Sequence, residues 1–216
     1  MMESPVRILL ATGNPHKVEE VREILRGDGV ELLSLLDLGG DFPEPEETGA
    51  TFAENARIKA RAYAAMAGMP ALADDSGLSV DALGGGPGVQ SARYAGVGTT
   101  RAERDAANNA KLLAALAGVP DGRRTARFVC AMCLSAPDGS IMAQTEGSFE
   151  GTIGFAPRGS NGFGYDPLLV LPGEDRTSAE LPPSEKNARS HRGAATRAIA
   201  PRLAALTKCG DGRAMR

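Results

Sequence analysis

The sequence predicts an α/β protein built on a mixed sheet, and three observations predict it. Strand-like apolar runs alternate with capped helical patterns in the first half of the chain, and a clear hairpin follows. The chain is 42% hydrophobic and 24% charged, enough apolar content to bury a core.

The elements follow in order. Val6 to Ala11 is a nearly continuous apolar run ended by Thr12-Gly13-Asn14, which suits a strand covered on both faces. A helix starts at once: Asn14 is a good N-cap, Pro15 fits the first helical position, and Val18, Val21 and Ile24 or Leu25 recur at helical spacing before Gly27 stops it. Thr51 with Glu54 is a capping box, heading an Ala-rich helix through Phe52, Ala56, Ala60 and Tyr63 to about Ala67. A short strand, Ala71 to Ala73, then opens into Asp74-Asp75-Ser76-Gly77, followed by Leu78 to Val80 and a loop from Gly84 to Gly88. Thr100 and Glu103 form a second capping box, whose helix shows Leu112, Leu113 and Leu116 on its apolar face and Gly118 as its stop. Phe128 to Ser135 and Ile141 to Ser148 flank Pro137-Asp138-Gly139 as a hairpin. A glycine-rich loop from Gly151 to Gly164 leads to a buried strand, Leu168 to Leu171. From Ser184 the chain is helical, interrupted near Gly193, with Ile199, Leu203 and Leu206 as its last apolar face. Residues 6–208 read as one domain, with 1–5 and 209–216 as flexible termini.

Composition excludes several classes. With 27 Gly, 14 Pro and no Trp, the chain favours tight turns and a core of small aliphatic residues and Ala. A formal charge of −3 argues against a nucleic-acid-coating protein. No apolar run approaches the roughly 18 residues of a membrane span, and Ile8 to Ala11 is too short for a signal-peptide core, so the expected location is cytoplasmic, with no membrane partner. Cys130 and Cys133 form a C-x-x-C on a predicted strand, where residues three apart point to opposite faces; they read as two small buried thiols rather than as a metal pair.

Five segments carry candidate chemistry. Thr12-Gly13-Asn14-Pro15-His16-Lys17 joins a strand to a helix N-terminus, either an anion site strengthened by the Lys17 charge or an ordinary Asn-capped turn. Asp74-Asp75 lies at a strand mouth, with Glu44, Glu46 and Glu47 in a Pro-rich loop; such carboxylates suit a hard cation like Mg²⁺, or else a solvated acidic turn. Successive strand residues point in different directions, so one aspartate can face a metal while the other orients a lysine or a water. Asn55 and Lys59 share one helix face, where a lysine is ordinarily solvated. Gly162-Phe163-Gly164-Tyr165-Asp166-Pro167 offers two rings that either stack on a base or pack into the core. Ser184-Glu185-Lys186-Asn187 and Ser190-His191-Arg192-Gly193 gather cations suited to triphosphate oxygens or a carbonyl-bearing base, or to a helix end. No G-x-x-x-x-G-K-[ST], G-x-S-x-G or dinucleotide glycine pattern is present. Arg22-Glu23-Ile24-Leu25 is similar to the core of the Nudix box, but Arg26 and Gly27 stand where that box has metal-binding glutamates.

Six segments in order resemble the inosine triphosphate pyrophosphatase family, the Ham1/RdgB-type non-standard purine nucleotide pyrophosphatases. They are Leu10 to Asn14 with Lys17, Glu47 to Phe52 with Glu54-Asn55-Ala56, Ala73 to Leu78, Pro87-Gly88 with Ser91 to Tyr94, Phe163 to Pro167, and Ser190-His191-Arg192. Pro182-Pro183 departs from the more polar stretch that commonly precedes the lysine. The resemblance implies an elongated mixed α/β fold with two lobes around a substrate cleft, usually a homodimer. It further implies Mg²⁺-dependent hydrolysis of ITP, dITP and XTP between the α and β phosphates, giving monophosphate and pyrophosphate and sanitising the nucleotide pool. Thr12, Gly13, Asn14, Pro15, His16 and Lys17 are then expected to hold phosphates, Asp75 to be general base and metal ligand, and Glu46 or Glu47 to help hold the metal. Asn55, Lys59, Ser76, Phe163, Gly164, Tyr165, Asp166, Lys186, His191 and Arg192 are expected to contact substrate. Hypoxanthine and xanthine present a carbonyl at C6 where adenine presents an amino group, so donors from His191, Arg192 or nearby N–H groups would pair only with the former. A nucleotide-binding regulator without turnover is the competing reading, and Asp75 with its acidic loop argues against it.

Overall fold

The computed structural model describes residues 6–27 and 29–209. Six strands form one mixed sheet in the order β2-β1-β3-β4-β5-β6. They are β1 (Val6–Leu10), β2 (Val30–Ser34), β3 (Ala71–Val80), β4 (Thr125–Ser135), β5 (Ile141–Ile153) and β6 (Leu169–Val170). The helices are α1 (Pro15–Ile24), α2 (Leu35–Leu38), α3 (Phe52–Ala67), α4 (Arg101–Ala115), α5 (Pro183–Arg189) and α6 (His191–Cys209). Among the described residues no helix is long and apolar enough to cross a membrane.

The chain divides into two compact units. The first takes residues 6–75, 131–146 and 192–209 of those described. There β1 pairs in parallel with β2 and with β3. The core is alanine-rich, as the composition suggests: Leu9, Ala11, Ala71 and Ala73 from the strands meet Ala56, Ala60, Tyr63 and Ala64 of α3. Small side chains let that helix lie close to the sheet. Its ends are set locally, by the Thr51–Glu54 capping box and by Gly68, whose φ of 64° ends the helix in the left-handed region.

The second unit takes residues 76–130 and 147–191. There β5 and β6 pair antiparallel. Its core is larger-grained than composition suggests: Leu78, Leu112, Leu116, Phe128, Phe149, Tyr165 and Leu168 gather in one cluster. Arg124 is the exception in this apolar setting, only 2% exposed. Its guanidinium donates to the carbonyls of Ile153 at 2.6 Å, Gly154 at 2.9 Å and Leu116 at 3.0 Å, so one side chain closes the C-terminal end of α4 and the end of β5.

The elements differ from expectation at defined places. Asp74 and Asp75 do not sit at a strand mouth: β3 runs unbroken through both, because each buried carboxylate has its own cationic partner. The segment β2–α2 was not anticipated, and β4 and β5 each extend beyond the predicted hairpin arms. The final helical stretch breaks at Ser190 rather than near Gly193, which lies inside α6. Cys130 and Cys133 are buried and unbridged, and burial pushes the Cys133 thiol up to about 11. Of the expected flexible termini at 1–5 and 209–216, Cys209 ends α6 and the rest lie outside the described residues.

Replacing Arg124 by Met keeps the length of the stem and removes the donors to the Ile153, Gly154 and Leu116 carbonyls, of which Leu116 keeps the Val119 N–H. The expected cost is about 2–4 kcal/mol in urea unfolding; a loss below about 1 kcal/mol would contradict this account of Arg124.

Candidate active site

In the first unit, one strand directs two carboxylates to two different sets of partners. Asp74 is 4% exposed and Asp75 is 8% exposed. Asp74 Oδ2 lies 2.9 Å from Lys17 Nζ and 3.3 Å from Nε and Nη2 of Arg192, whose Nη1 lies 2.5 Å from Glu20. Asp75 faces α3: Lys59 Nζ stands 3.0 Å from its Oδ1, and Asn55 Nδ2 donates to its Oδ2 at 3.3 Å. Lys59 also meets Glu47 Oε1 at 2.7 Å, so one ammonium joins two carboxylates. Asn55 is held in turn by Gly49, whose N–H donates to Asn55 Oδ1 at 2.8 Å. A Cβ at Gly49 would fall 2.6 Å from that oxygen, so only glycine fits.

These surroundings push the two aspartates in opposite directions. Burial alone would raise Asp74, but the charges of Lys17, Arg192 and Lys59 overcome it and hold the carboxyl well below the usual range. At Asp75 burial wins over Lys59, and the carboxyl is raised. Lys59 itself is pulled down by burial and, more strongly, up by Asp75, Asp74 and Glu47, ending above its ordinary value. Asp74 is therefore a fixed anion, whereas Asp75 is the carboxylate better suited to take a proton.

The donor set around Lys59 fits a hard divalent cation. Glu47 and Asp75 already converge on one positive centre, and Mg²⁺ is typically held by one or two carboxylates with water and phosphate oxygens completing its shell. No group of three or more His, Cys, Asp or Glu converges among the described residues, so a protein-only cage is not built here. Glu46 is exposed and does not join this cluster, so of the acidic pair Glu47 is the residue brought to Asp75.

The helix start also takes shape. Asn14 Oδ1 caps the His16 N–H at 3.1 Å, Thr12 Oγ1 accepts from the Asn14 N–H at 3.2 Å, and Pro15 occupies the first turn without an N–H. With those donors committed or missing, Lys17 is the charged donor that this turn presents. Gly13, Pro15 and His16 are exposed.

In the second unit Asp166, 2% exposed, is the anchor. It accepts from Lys186 Nζ at 2.6 Å, from the Phe163 N–H at 2.8 Å and from Ser178 Oγ at 2.8 Å. A Cβ on Gly162 would strike Asp166 Oδ2 at 2.1 Å, which explains that glycine. The Phe163 ring is partly exposed, with the Arg101 guanidinium 4.4 Å and the Lys186 ammonium 5.1 Å from its centroid. His191 is buried and stacks on Phe128, with centroids 5.1 Å apart. Ser76 is half-buried on β3.

Three of the expected substrate contacts have partners within the chain. Asn55 is fully buried and binds Asp75 and Gly49, so it positions a carboxylate. Tyr165 packs into the core with its hydroxyl on the Ser91 carbonyl at 2.9 Å, leaving Phe163 as the presented ring. Arg192 is 1% exposed and directs its guanidinium to Asp74 and Glu20. Glu20, Arg101, Asp105, Asn109 and Arg124 were missed. Glu20 lies one turn beyond Lys17 on α1, which the sequence shows, but its partner is 172 residues away.

Fold and site together define a mixed-sheet α/β enzyme with a buried, carboxylate-centred polar site. The chain belongs to the Ham1 family, whose model matches residues 8–202. It is 52% identical over 194 residues to a dITP/XTP pyrophosphatase of an Exiguobacterium species, covering 90% of this chain and 95% of the relative. It is likewise 52% identical over 204 residues to a dITP/XTP pyrophosphatase of Methylococcus capsulatus, covering 93% and 98%. The solved structure of a HAM1 protein from Coxiella burnetii superposes with a TM-score of 0.82 at 43% identity, covering 94% of this chain and 99% of that one.

The different surroundings of the two aspartates should appear in stability. Asp74→Asn leaves the half-buried Lys17 beside a neutral amide and the buried Arg192 with Glu20 as its remaining carboxylate, and should cost about 3–5 kcal/mol. Asp75→Asn leaves Lys59 paired with Glu47 and should cost less than about 1 kcal/mol. Urea unfolding of both variants at pH 7 checks this, and equal losses would contradict it.

Proposed function

We propose that the chain is a nucleoside triphosphate pyrophosphohydrolase acting on the non-standard purine nucleotides dITP, ITP and XTP, and so sanitises the nucleotide pool. The observation that carries this is the pair Asp74-Asp75 on β3, each held by its own lysine, in a Ham1-family chain whose relatives bear the dITP/XTP pyrophosphatase name. In the reaction a water oxygen bonds to phosphorus at the α–β anhydride, the bridging P–O bond breaks, and monophosphate and pyrophosphate leave.

Asp75 takes the proton of the attacking water, a role supported by its raised carboxyl and by Asn55, which holds one oxygen in place. Lys17 receives phosphate oxygens at the start of α1, and the turn from Thr12 to His16 sets its position. Asp74 keeps Lys17 oriented and limits local positive charge. Asp75 and Glu47, both paired with Lys59, are the residues that would hold Mg²⁺. When bound, Mg²⁺ supplies positive charge at the phosphates and makes the attacking water more acidic.

Phe163 offers a ring face for the purine, fixed by Asp166 through its own N–H. Lys186 is drawn to the same anchor and supplies a cation beside that ring. His191 is the donor to set against a C6 carbonyl, since the Phe163 and Gly164 N–H groups are held by Asp166 and Asp105. A donor left facing an amino group costs about 1–3 kcal/mol, roughly tenfold to more than a hundredfold in selectivity. The family resemblance also supports a homodimer and a cytoplasmic location as parts of this proposal.

Three outcomes are expected. ITP with Mg²⁺ yields pyrophosphate and IMP, followed by phosphate-specific chromatography; IDP as first product would overturn the assignment. Excess EDTA abolishes turnover, and full activity in EDTA would remove Mg²⁺ from the account. Asp75→Asn lowers single-turnover hydrolysis by about 10²–10⁴-fold while ITP binding, measured by calorimetry, falls much less, because Lys17 and the helix start remain. A folded Asp75→Asn within about tenfold of the parent would show that Asp75 is not the base.

A further inference from the structure

Helix α4 presents Arg101, Asp105 and Asn109 at i, i+4 and i+8, a single stripe on one face. All three reach the same two residues of the loop before β6. The Arg101 guanidinium covers the Phe163 ring at 4.4 Å, Asp105 Oδ2 accepts from the Gly164 N–H at 3.0 Å, and Asn109 Nδ2 donates to the Gly164 carbonyl at 2.9 Å. Both sides of one glycine are therefore gripped by side chains of complementary chemistry. Arg101 Nε lies 3.7 Å from Asp105 Oδ2, which links the stripe along its length.

Two further features make this a positioning device rather than incidental packing. Phe163 and Gly164 line an open pocket of about 460 Å³, together with Leu113, Pro157 and Pro167, so the core does not hold them on that side. Among the described residues, Asn109 Oδ1 is buried without a hydrogen-bond partner, a cost an apolar residue would avoid. What asparagine provides there is the single Nδ2 donor to Gly164. The helix is itself fixed by the neighbouring stripe: Asn108 grips the 91–95 segment through Ser91, Ala92 and Ala95, and Leu112 and Leu116 enter the core.

We infer that Arg101, Asp105 and Asn109 are positioning residues that hold Phe163 in its base-stacking place and thereby set the affinity for the purine, an inference that rests on the pyrophosphohydrolase reading above. The contacts of all three converge on Phe163 and Gly164, so their loss acts on substrate affinity and leaves the chemical step in place.

Two isosteric changes separate hydrogen-bonding chemistry from shape. Asp105→Asn keeps an oxygen able to accept from Gly164 and should behave like the parent. Asn109→Asp removes the donor and sets a negative charge against the Gly164 carbonyl; the KM for ITP should rise about five- to tenfold, with kcat within about twofold. A folded Asn109→Asp with unchanged KM, or an equal fall in kcat, overturns the inference. If Asn109→Asp does not fold, Asp105→Ala carries the same expectation. A second readout needs no substrate. The chain has no tryptophan, so Phe163→Trp gives one emission from that position alone. Acrylamide quenching in that background should increase on adding Asn109→Asp and stay unchanged on adding Asp105→Asn; no increase for Asn109→Asp overturns the inference. A parent inactive on ITP whose tryptophan variant shows this quenching pattern would discard the substrate reading and keep the positioning role.

Discussion

Adjacent carboxylates on a buried strand repel each other unless each faces its own cation, and the first unit is organised around satisfying that constraint. The pleat of β3 sends Asp74 toward Lys17 and Arg192, and Asp75 toward Lys59 and Asn55. Every neighbouring feature serves one of these two sets. The Asn14 cap fixes the start of α1 and so the place of Lys17; the Thr51 capping box fixes α3 and so the register of Asn55 and Lys59. The alanines of α3 let those two polar residues come within reach of the strand. Burying charge in this way costs desolvation energy that only close ion pairs and hydrogen bonds offset, so the cluster tolerates little rearrangement.

The second unit solves a different problem, holding a glycine-rich loop in one conformation. Asp166 takes three donors, one of them the backbone of Phe163, and α4 grips the next residue from the other direction. A loop containing Gly162 and Gly164 would otherwise sample many conformations. The glycines permit the turn, and the surrounding side chains choose among the turns that glycine allows.

Much of this was legible in the chain because it is local. Both long helices with capping boxes start where Thr51 and Thr100 predict, and the hairpin turns at Pro137-Asp138-Gly139. The opposed directions of two successive aspartates follow from the strand pleat alone. What stayed hidden depends on partners distant in sequence. Asp74-Asp75 looked like the end of a strand because polar residues ordinarily break a buried run; the strand continues only because Arg192, 118 residues away, and Lys17 satisfy Asp74. The spacing of Arg101, Asp105 and Asn109 was visible, but nothing local says that Gly164 lies opposite. Tyr165 and Phe163 were indistinguishable as a pair of rings, and only packing assigns one to the core.

The central claim is that one strand carries a permanently ionised Asp74 beside a proton-accepting Asp75. Carboxyl ¹³C NMR of aspartate-labelled protein, titrated through the acid range with Asp74→Asn and Asp75→Asn as assignment controls, tests it directly. The account predicts that Asp75 titrates above the ordinary aspartate value of 3.8 while Asp74 stays ionised well below it. Titration of both together near 3.8, or the reverse order, would contradict it.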